Sequence, residues 1–343
     1  MNNIAKKTVK AAVLLGVATL TCISACSCTK TAKYEDDLSG YVTLGEYKGL
    51  TISSETIDEQ LGSTINTLIS KNTKTNDITD RALASGDTAK VKYTLTSGES
   101  EVETKDDYSV ILGTATDLFA ESLIGHSVGD EYTVDVTLPD DYSNADYAGK
   151  AATYSITVSS ATETVVPELT DAFVADKTDY ETVDEYKVAT RLDVRKNLLW
   201  EDVIAGCRFS SYPERNIKIY YDNGIEYYNN LFNYYASLSG SSSSSGDIYS
   251  RFGTTKEKIY KQAADNALQQ VKQDLVALSI AKVEGITVSD DEYNTYISEH
   301  YSKLGYSDEK AMTKAVSHDN IERSAILEKV IDLINDNASD NLG

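Results

Sequence analysis

The sequence predicts an α+β chain, rich in strands from Gly86-Asp87 to about Ser160 and helical beyond Pro167. In the first stretch apolar residues recur at every second position, the period of a strand with one buried face. In the second they recur at intervals of three and four, the period of an amphipathic helix. The two patterns do not alternate, which argues against a doubly wound parallel sheet and against a solute-binding protein built on one.

The chain opens on a segment outside any fold. Lys6, Lys7 and Lys10 precede thirteen mostly apolar residues, Ala11 to Ile23, and the run closes on Ile23-Ser24-Ala25-Cys26. A basic region, a short apolar run and a small-residue exit make a secretory signal, and the run is too short to span a bilayer. Its last four residues resemble the bacterial lipobox, in which the cysteine becomes the lipidated first residue. Residues 1–25 are therefore expected to be a lipoprotein signal peptide and Cys26 the lipidation site. This places the protein on the extracytoplasmic face of the cell membrane, held by its acyl chains. An ordinary signal cut near Ala25, with an incidental cysteine, is the alternative.

Residues 1–25 carry three lysines and no acids, so the remaining chain has 29 basic and 54 acidic residues, a net of −25. That balance excludes a basic nucleic-acid footprint. Of four cysteines, Cys22 leaves with the signal, Cys26 takes lipid, Cys28 lies beside it, and Cys207 has no obvious partner. The three histidines, His126, His300 and His318, are scattered, so no metal site is expected. Nucleophile elbow, P-loop and dinucleotide fingerprint are all missing, and no cofactor is expected.

Residues 26–42 are polar and without periodicity and read as a tether. Thr56-Ile57-Asp58-Glu59 has capping-box spacing, and Ile57, Leu61, Ile65, Leu68 and Ile69 predict a helix over 57–71. Ala89, Val91, Tyr93 and Leu95 mark a strand, and Tyr108, Val110 and Leu112 a weaker one. Tyr132, Val134, Val136 and Leu138 mark a third, and Ala152, Tyr154, Ile156 and Val158 a fourth. Leu268, Val271, Leu275 and Leu278 stripe a long helix. Ser289 with Glu292 caps another, and Ile321, Leu327, Val330, Ile331 and Ile334 stripe the last. Between 217 and 249, Tyr220, Tyr221, Tyr227, Tyr228, Tyr234 and Tyr235 recur in pairs seven residues apart, ahead of the run SGSSSSSG, a flexible tip or linker. The pairs serve either as a core stripe in a helical arm or as a surface for unfolded chains. Tyr220, Tyr227, Tyr228, Tyr234 and Tyr235 are the candidate client-binding residues.

In order and spacing, GDTAKVKYTL, YSVILG, FAESLIGHSVGDEYTVDVTLPDDY and GKAATYSITV resemble the FKBP-type prolyl isomerase domain of the bacterial trigger factor family. LGEYKGLTISSETIDEQL, TVVPELTDAFV and VKQDLVALSIAKVEGITVSDDEYNTYI resemble the family's flanking segments, so the likeness runs from about 43 to about 338. It implies an FKBP-like antiparallel sheet wrapped on a short helix over 84–161. It also implies an all-α chaperone domain with extended helical arms over 162–343, and a linker with one helix over 43–83 that packs with the C-terminal domain. Where the family has its ribosome-docking domain, this sequence has the lipoprotein signal, so no ribosome contact is expected.

The resemblance also implies a catalytic pocket. Tyr93 matches the aromatic of the first strand, Tyr142 the loop tyrosine that hydrogen-bonds substrate, and Tyr154 a phenylalanine of the last strand. Phe119 matches the pocket floor and Leu118 the aliphatic residue before the helix, in a loop two residues shorter than usual. The phenylalanine–acid pair expected after the first turn is not found, since only Val102, Glu101 and Glu103 lie nearby. Rotation about an X–Pro bond has a barrier near 20 kcal/mol, and an apolar cleft that desolvates the imide lowers it without a nucleophile. Tyr93, Tyr154 and Phe119 serve equally well as core residues. The expected function is a membrane-anchored peptidyl-prolyl isomerase and chaperone whose partners are unfolded or proline-containing polypeptides. The alternative is a holdase lipoprotein with an inactive FKBP-like domain.

Overall fold

The computed structural model describes residues 31–114, 116–238, 249–250 and 252–341. The expected signal peptide, Cys26 and the serine run lie outside the described residues. The chain runs through β1 (Val42–Thr43), β2 (Thr51–Ser53), α1 (Ser54–Asn72), β3 (Lys74–Asp77), β4 (Thr88–Ser97) and β5 (Ser100–Ile111). After a 3-10 turn at Ala120–Leu123 come β6 (Glu131–Thr137) and β7 (Ala151–Val165). α2 (Asp171–Lys177), α3 (Val183–Gly206), β8 (Arg208–Phe209), α4 (Glu214–Leu238) and α5 (Lys256–Glu284) follow. The described chain ends with α6 (Asp290–His300), α7 (Glu309–Ala315), α8 (His318–Asp336) and β9 (Ser339–Asn341). Two compact units result, Asn66–Leu169 and the residues on either side of it.

In the sheet unit the long strand β7 is central. One edge pairs with β4, and the other pairs with β6 along 151–157 and with β3 along 162–165, all antiparallel. β5 closes the far side against β4. Strict alternation drives this arrangement: Ala89, Val91, Tyr93 and Leu95 of β4 and Ala152, Tyr154, Ile156 and Val158 of β7 are all buried on one face. Because β3 is hydrogen-bonded to β7, the unit begins earlier than the expected boundary at 84. The short helix expected against the sheet is instead a single 3-10 turn. Ile124 is already extended, and Gly125, at φ 93°, turns the chain away. At the entry to β4, Arg81 clamps Asp87 through two bonds of 2.7 and 2.8 Å, and the Ala84 amide adds a third at 2.7 Å. The Arg81 guanidinium holds the Asp87 carboxyl below its ordinary range.

The helical unit has its core between α3, α5 and α8. Leu199, Trp200 and Val203 meet Val271, Leu275 and Ile280, and Val330 and Ile334 complete the layer with Ile57 of α1. Side chains three and four apart supply each face, as the stripes predict. The Ser289–Glu292 capping box forms, and Thr182 with Glu185 makes a second one on α3. The box expected at Thr56–Glu59 does not start its helix. β2 runs straight into α1 at Ser54, so Thr56 already lies inside the first turn.

Two expectations fail in this unit. It is not wholly helical, because β1 pairs antiparallel with β8, and β2 pairs parallel with β9. Gly45 is needed beside the first pair, since a Cβ there would lie 2.4 Å from the Gly206 carbonyl oxygen. The described part of the expected tether, residues 31–42, is a packed strap. Ala32, Leu38 and Val42 are buried in the unit. Asn216 donates to the Lys33 carbonyl at 3.0 Å, Arg323 to that of Ala32 at 2.6 Å and Lys282 to that of Asp36 at 2.5 Å. The strap also reaches a buried carboxylate: the Tyr34 hydroxyl donates to Asp274 at 2.9 Å, and Tyr220 donates to the same oxygen.

Candidate functional site

The pleat of β4 and β7 turns Tyr93 and Tyr154 inward as cross-strand neighbours, and the 3-10 turn delivers Phe119 onto them. Ring centroids lie 4.8 Å apart for Phe119–Tyr154, 5.2 Å for Phe119–Tyr93 and 5.4 Å for Tyr93–Tyr154. Phe119 is 1% exposed, so it is the floor around which the tyrosines stand. Tyr142, in the turn after Pro139, is half-buried against the same cluster. Leu118 departs from expectation. At 46% exposed it faces solvent, because in the shortened loop Asp117 rather than Leu118 turns toward the rings.

The sequence reading did not place three further groups, Tyr108, Asp117 and Glu103, at the cluster. Tyr108 of β5 adds a fourth ring, 5.5 Å from Tyr93 and 6.3 Å from Phe119, and donates its hydroxyl to Asp117 at 2.8 Å. Glu103 of β5 lies near the Tyr93 phenol. The position of Glu103 comes from irregular pairing. Val91 lies opposite Tyr108, but Tyr93 lies opposite Lys105 and Leu95 opposite Glu103. A bulge thus moves Glu103 to the buried face. Burial and then Glu103 push the Tyr93 phenol up, while the hydrogen bond to Asp117 is the main cause for Tyr108. Tyr154 is pushed up to about 12, by burial first and then by Tyr142, Glu103 and Asp117. All of these phenols stay protonated near neutrality. Among the described residues, no group hydrogen-bonds the hydroxyls of Tyr142 or Tyr154.

The tyrosine pairs divide along the arm formed by α4 and α5. At its root Tyr220 is committed to Asp274 and is removed from the candidate client-binding set. Gly224 lets the two helices approach, its Cβ position lying 3.5 Å from that of Ala263. Tyr227 and Tyr228 are half-buried, with Tyr228 stacked on Phe232. Toward the tip Tyr234 is 59% exposed, and Tyr235 and Phe252 are each 44% exposed, their rings 5.2 Å apart. Core packing accounts for the root, and an open aromatic surface remains at the tip.

Among the described residues no group of three His, Cys, Asp or Glu side chains is placed to hold a metal ion, and no helix is long and apolar enough to cross a membrane. Cys207 is half-buried and unpaired.

The trigger factor of Lacticaseibacillus casei (strain BL23) is 30% identical over 314 residues, 87% of this chain and 70% of that protein. The chain belongs to the trigger factor family. The trigger factors of Limosilactobacillus fermentum and Clostridioides difficile are 28% and 26% identical, over 87% and 86% of the chain and 71% and 72% of their own lengths. A family model described as the bacterial trigger factor protein C-terminus matches residues 237–336. A solved structure concerning promiscuous substrate recognition in folding and assembly by the trigger factor chaperone is 18% identical. It covers 86% of this chain and 72% of that one, with a TM-score of 0.30.

Proposed function

We propose that this trigger factor family member is a lipid-anchored foldase of the extracytoplasmic face, which holds unfolded polypeptides with its helical unit and isomerises X–Pro bonds in an FKBP-like sheet unit. The observation that supports the reading is the ring cluster on Phe119, with Tyr142 half-buried beside it and placed to offer its hydroxyl to a substrate carbonyl. A prolyl ring on that floor leaves its imide among aromatic carbons, where the planar, polar amide loses the hydration that favours it. The Tyr142 hydroxyl then orients the chain by one hydrogen bond. Client holding is assigned to Tyr227, Tyr228, Tyr234 and Tyr235, whose large, amphipathic faces suit many sequences at modest entropic cost.

A second reading has its own support. Tyr93, Phe119 and Tyr154 are so well buried, at 5%, 1% and 7% exposure, that they also form a complete core. On that reading the chain is a holdase whose sheet unit no longer catalyses.

Two experiments test the holding and anchoring parts. Replacing Tyr234 and Tyr235 together by serine is expected to weaken suppression of aggregation of a proline-free unfolded client several-fold, since hot-spot aromatics each carry about 2 kcal/mol or more. Light scattering at matched concentrations checks it, and undiminished suppression sinks the assignment. Cys26→Ser is expected to release the protein from membranes or leave the signal uncleaved. Unchanged mass and unchanged membrane partition would remove the anchor.

A further inference from the structure

We propose that strap residues 31–38 are a latch that sets the position of α4, so that the N-terminal end of the chain governs the arm at the other end of the helical unit. The consequence for clients rests on the client-holding reading, whereas the latch itself rests on contacts at the root of the arm. Along its length α4 packs on α5, and no other element meets it to a comparable extent. Only its first turns reach the core, through Ile217 and Tyr220. There the strap takes hold. Asn216 is 1% exposed, and its side-chain amide donates to the Lys33 carbonyl at 3.0 Å. One turn further, Tyr220 donates to Asp274, the carboxylate that also accepts from Tyr34 at 2.9 Å. From the opposite side α8 grips the same few residues. Arg323 donates to the Ala32 carbonyl at 2.6 Å and lies over the Tyr34 ring, and Thr31 bonds the N-cap Ser317 at 2.9 Å. The strap thus ties α4 to α8.

The strap is also built to come off. Over 31–38 it joins no helix and no strand ladder, and Lys33, Glu35, Asp36 and Asp37 are exposed. Side chains reach out to its carbonyls, Asn216 to Lys33, Arg323 to Ala32 and Lys282 to Asp36. A segment held in this way opens locally at less cost than the helices beneath it. Release strips the buried Asn216 amide of its acceptor, and a buried donor without a partner favours a helix that moves toward water over one that stays. The movement grows along the arm. Tyr234 lies fourteen residues beyond Tyr220, about 21 Å at 1.5 Å per residue, so a small tilt at the root is enlarged at the exposed aromatics. Two states follow, a docked strap with a set arm and a released strap with a loose one.

The test is Tyr34→Ala in the full-length protein, which takes the ring and hydroxyl from the strap and no atom from the arm. Amide exchange over 217–228 of α4 is expected to quicken by about tenfold or more. Exchange in α3 and α6 should quicken no more than the loss of global stability, read from the urea midpoint, accounts for. Suppression of aggregation of a proline-free client should fall several-fold, as the set arm becomes a smaller share of the population. Where the alanine variant does not fold, Tyr34→Phe keeps the ring over Arg323 and should give the same pattern at smaller size. A cross-link supplies the rescue. A Cβ at Gly224 lies 3.5 Å from that of Ala263, within reach of a disulfide. Gly224→Cys with Ala263→Cys, oxidised in the Tyr34→Ala background, should restore holding, and reduction should remove it again. Unchanged exchange in α4, or a uniform rise across α3, α4 and α6, overturns the latch and leaves the client-holding reading standing. A loosened α4 with undiminished holding overturns the coupling to clients. A wild type that suppresses no aggregation overturns the client-holding reading instead, and exchange in α4 then decides the latch alone.

Discussion

Asp274→Ala is expected to destabilise the helical unit by about 3–5 kcal/mol, the cost of leaving one partner of a buried ion pair alone. Asp274 is 7% exposed. Its carboxylate accepts from Tyr34 and Gln270 at 2.9 Å each and from Tyr220, and the Arg323 guanidinium lies 3.7 Å away. Without the carboxylate, the hydrogen bonds that Arg323 keeps among the described residues go to neutral groups, the Ala32 carbonyl and the Asn320 side chain, beneath the Tyr34 ring. Two phenols lose their acceptor at the same time. Asp274→Asn, which keeps an acceptor but drops the charge, should cost less, and Tyr34→Phe about 1 kcal/mol. Urea unfolding followed by helical circular dichroism checks the order. A midpoint unmoved by Asp274→Ala would mean that the network contributes no net stability.

Phe119→Ala is expected to cost the sheet unit about 3–5 kcal/mol and to abolish isomerisation in what remains folded. The side chain touches three tyrosine rings, and its loss leaves a cavity that their hydroxyls and water can enter. Tyr142→Phe removes one hydrogen bond, worth about 0.5–1.5 kcal/mol, and should slow catalysis by no more than about tenfold. Phe119→Leu keeps an apolar floor and serves where the alanine variant does not fold. Peptide isomerisation measured beside thermal unfolding separates lost chemistry from lost structure. If Tyr142→Phe costs more activity than Phe119→Leu, the hydrogen bond outweighs desolvation. A folded wild type at the uncatalysed rate favours the holdase.

What was legible in the sequence was whatever repeats. Strands β4 and β7 could be read because the pleat makes every second residue apolar, and α5, α6 and α8 because stripes and caps recur at fixed offsets. Tyr93 and Tyr154 lie on those strands, but their place in a pocket, like that of Phe119, was read from the resemblance to the trigger factor family. Glu103 was not placed on the buried face because a bulge inverts the alternation beyond Tyr108, and no residue type announces it. Asp117 escaped because its role depends on a loop two residues short and on a hydroxyl at Tyr108. The strap was read as a tether because Ala32, Tyr34 and Leu38 have no period, and their partners, such as Asp274 and Arg323, lie more than 230 residues further along the chain. Strands of two or three residues, such as β1, β2, β8 and β9, are too short for any pattern to show.

The strap has a mechanical consequence. An extended chain spans about 3.3–3.6 Å per residue, so the five steps from Cys26 to Thr31 cover less than about 18 Å. Thr31 is bonded to Ser317 at 2.9 Å, and the residues after it are pinned to α4, α5 and α8. A lipid on Cys26 would therefore act as a short mooring. The helical unit would ride at headgroup height, within about two Debye lengths of the anionic leaflet in physiological salt. Its own negative charge would push against that surface and hold the mooring taut. Load on the anchor would then pass directly to the Asp274 network, at the base of the arm whose far end carries the exposed aromatics.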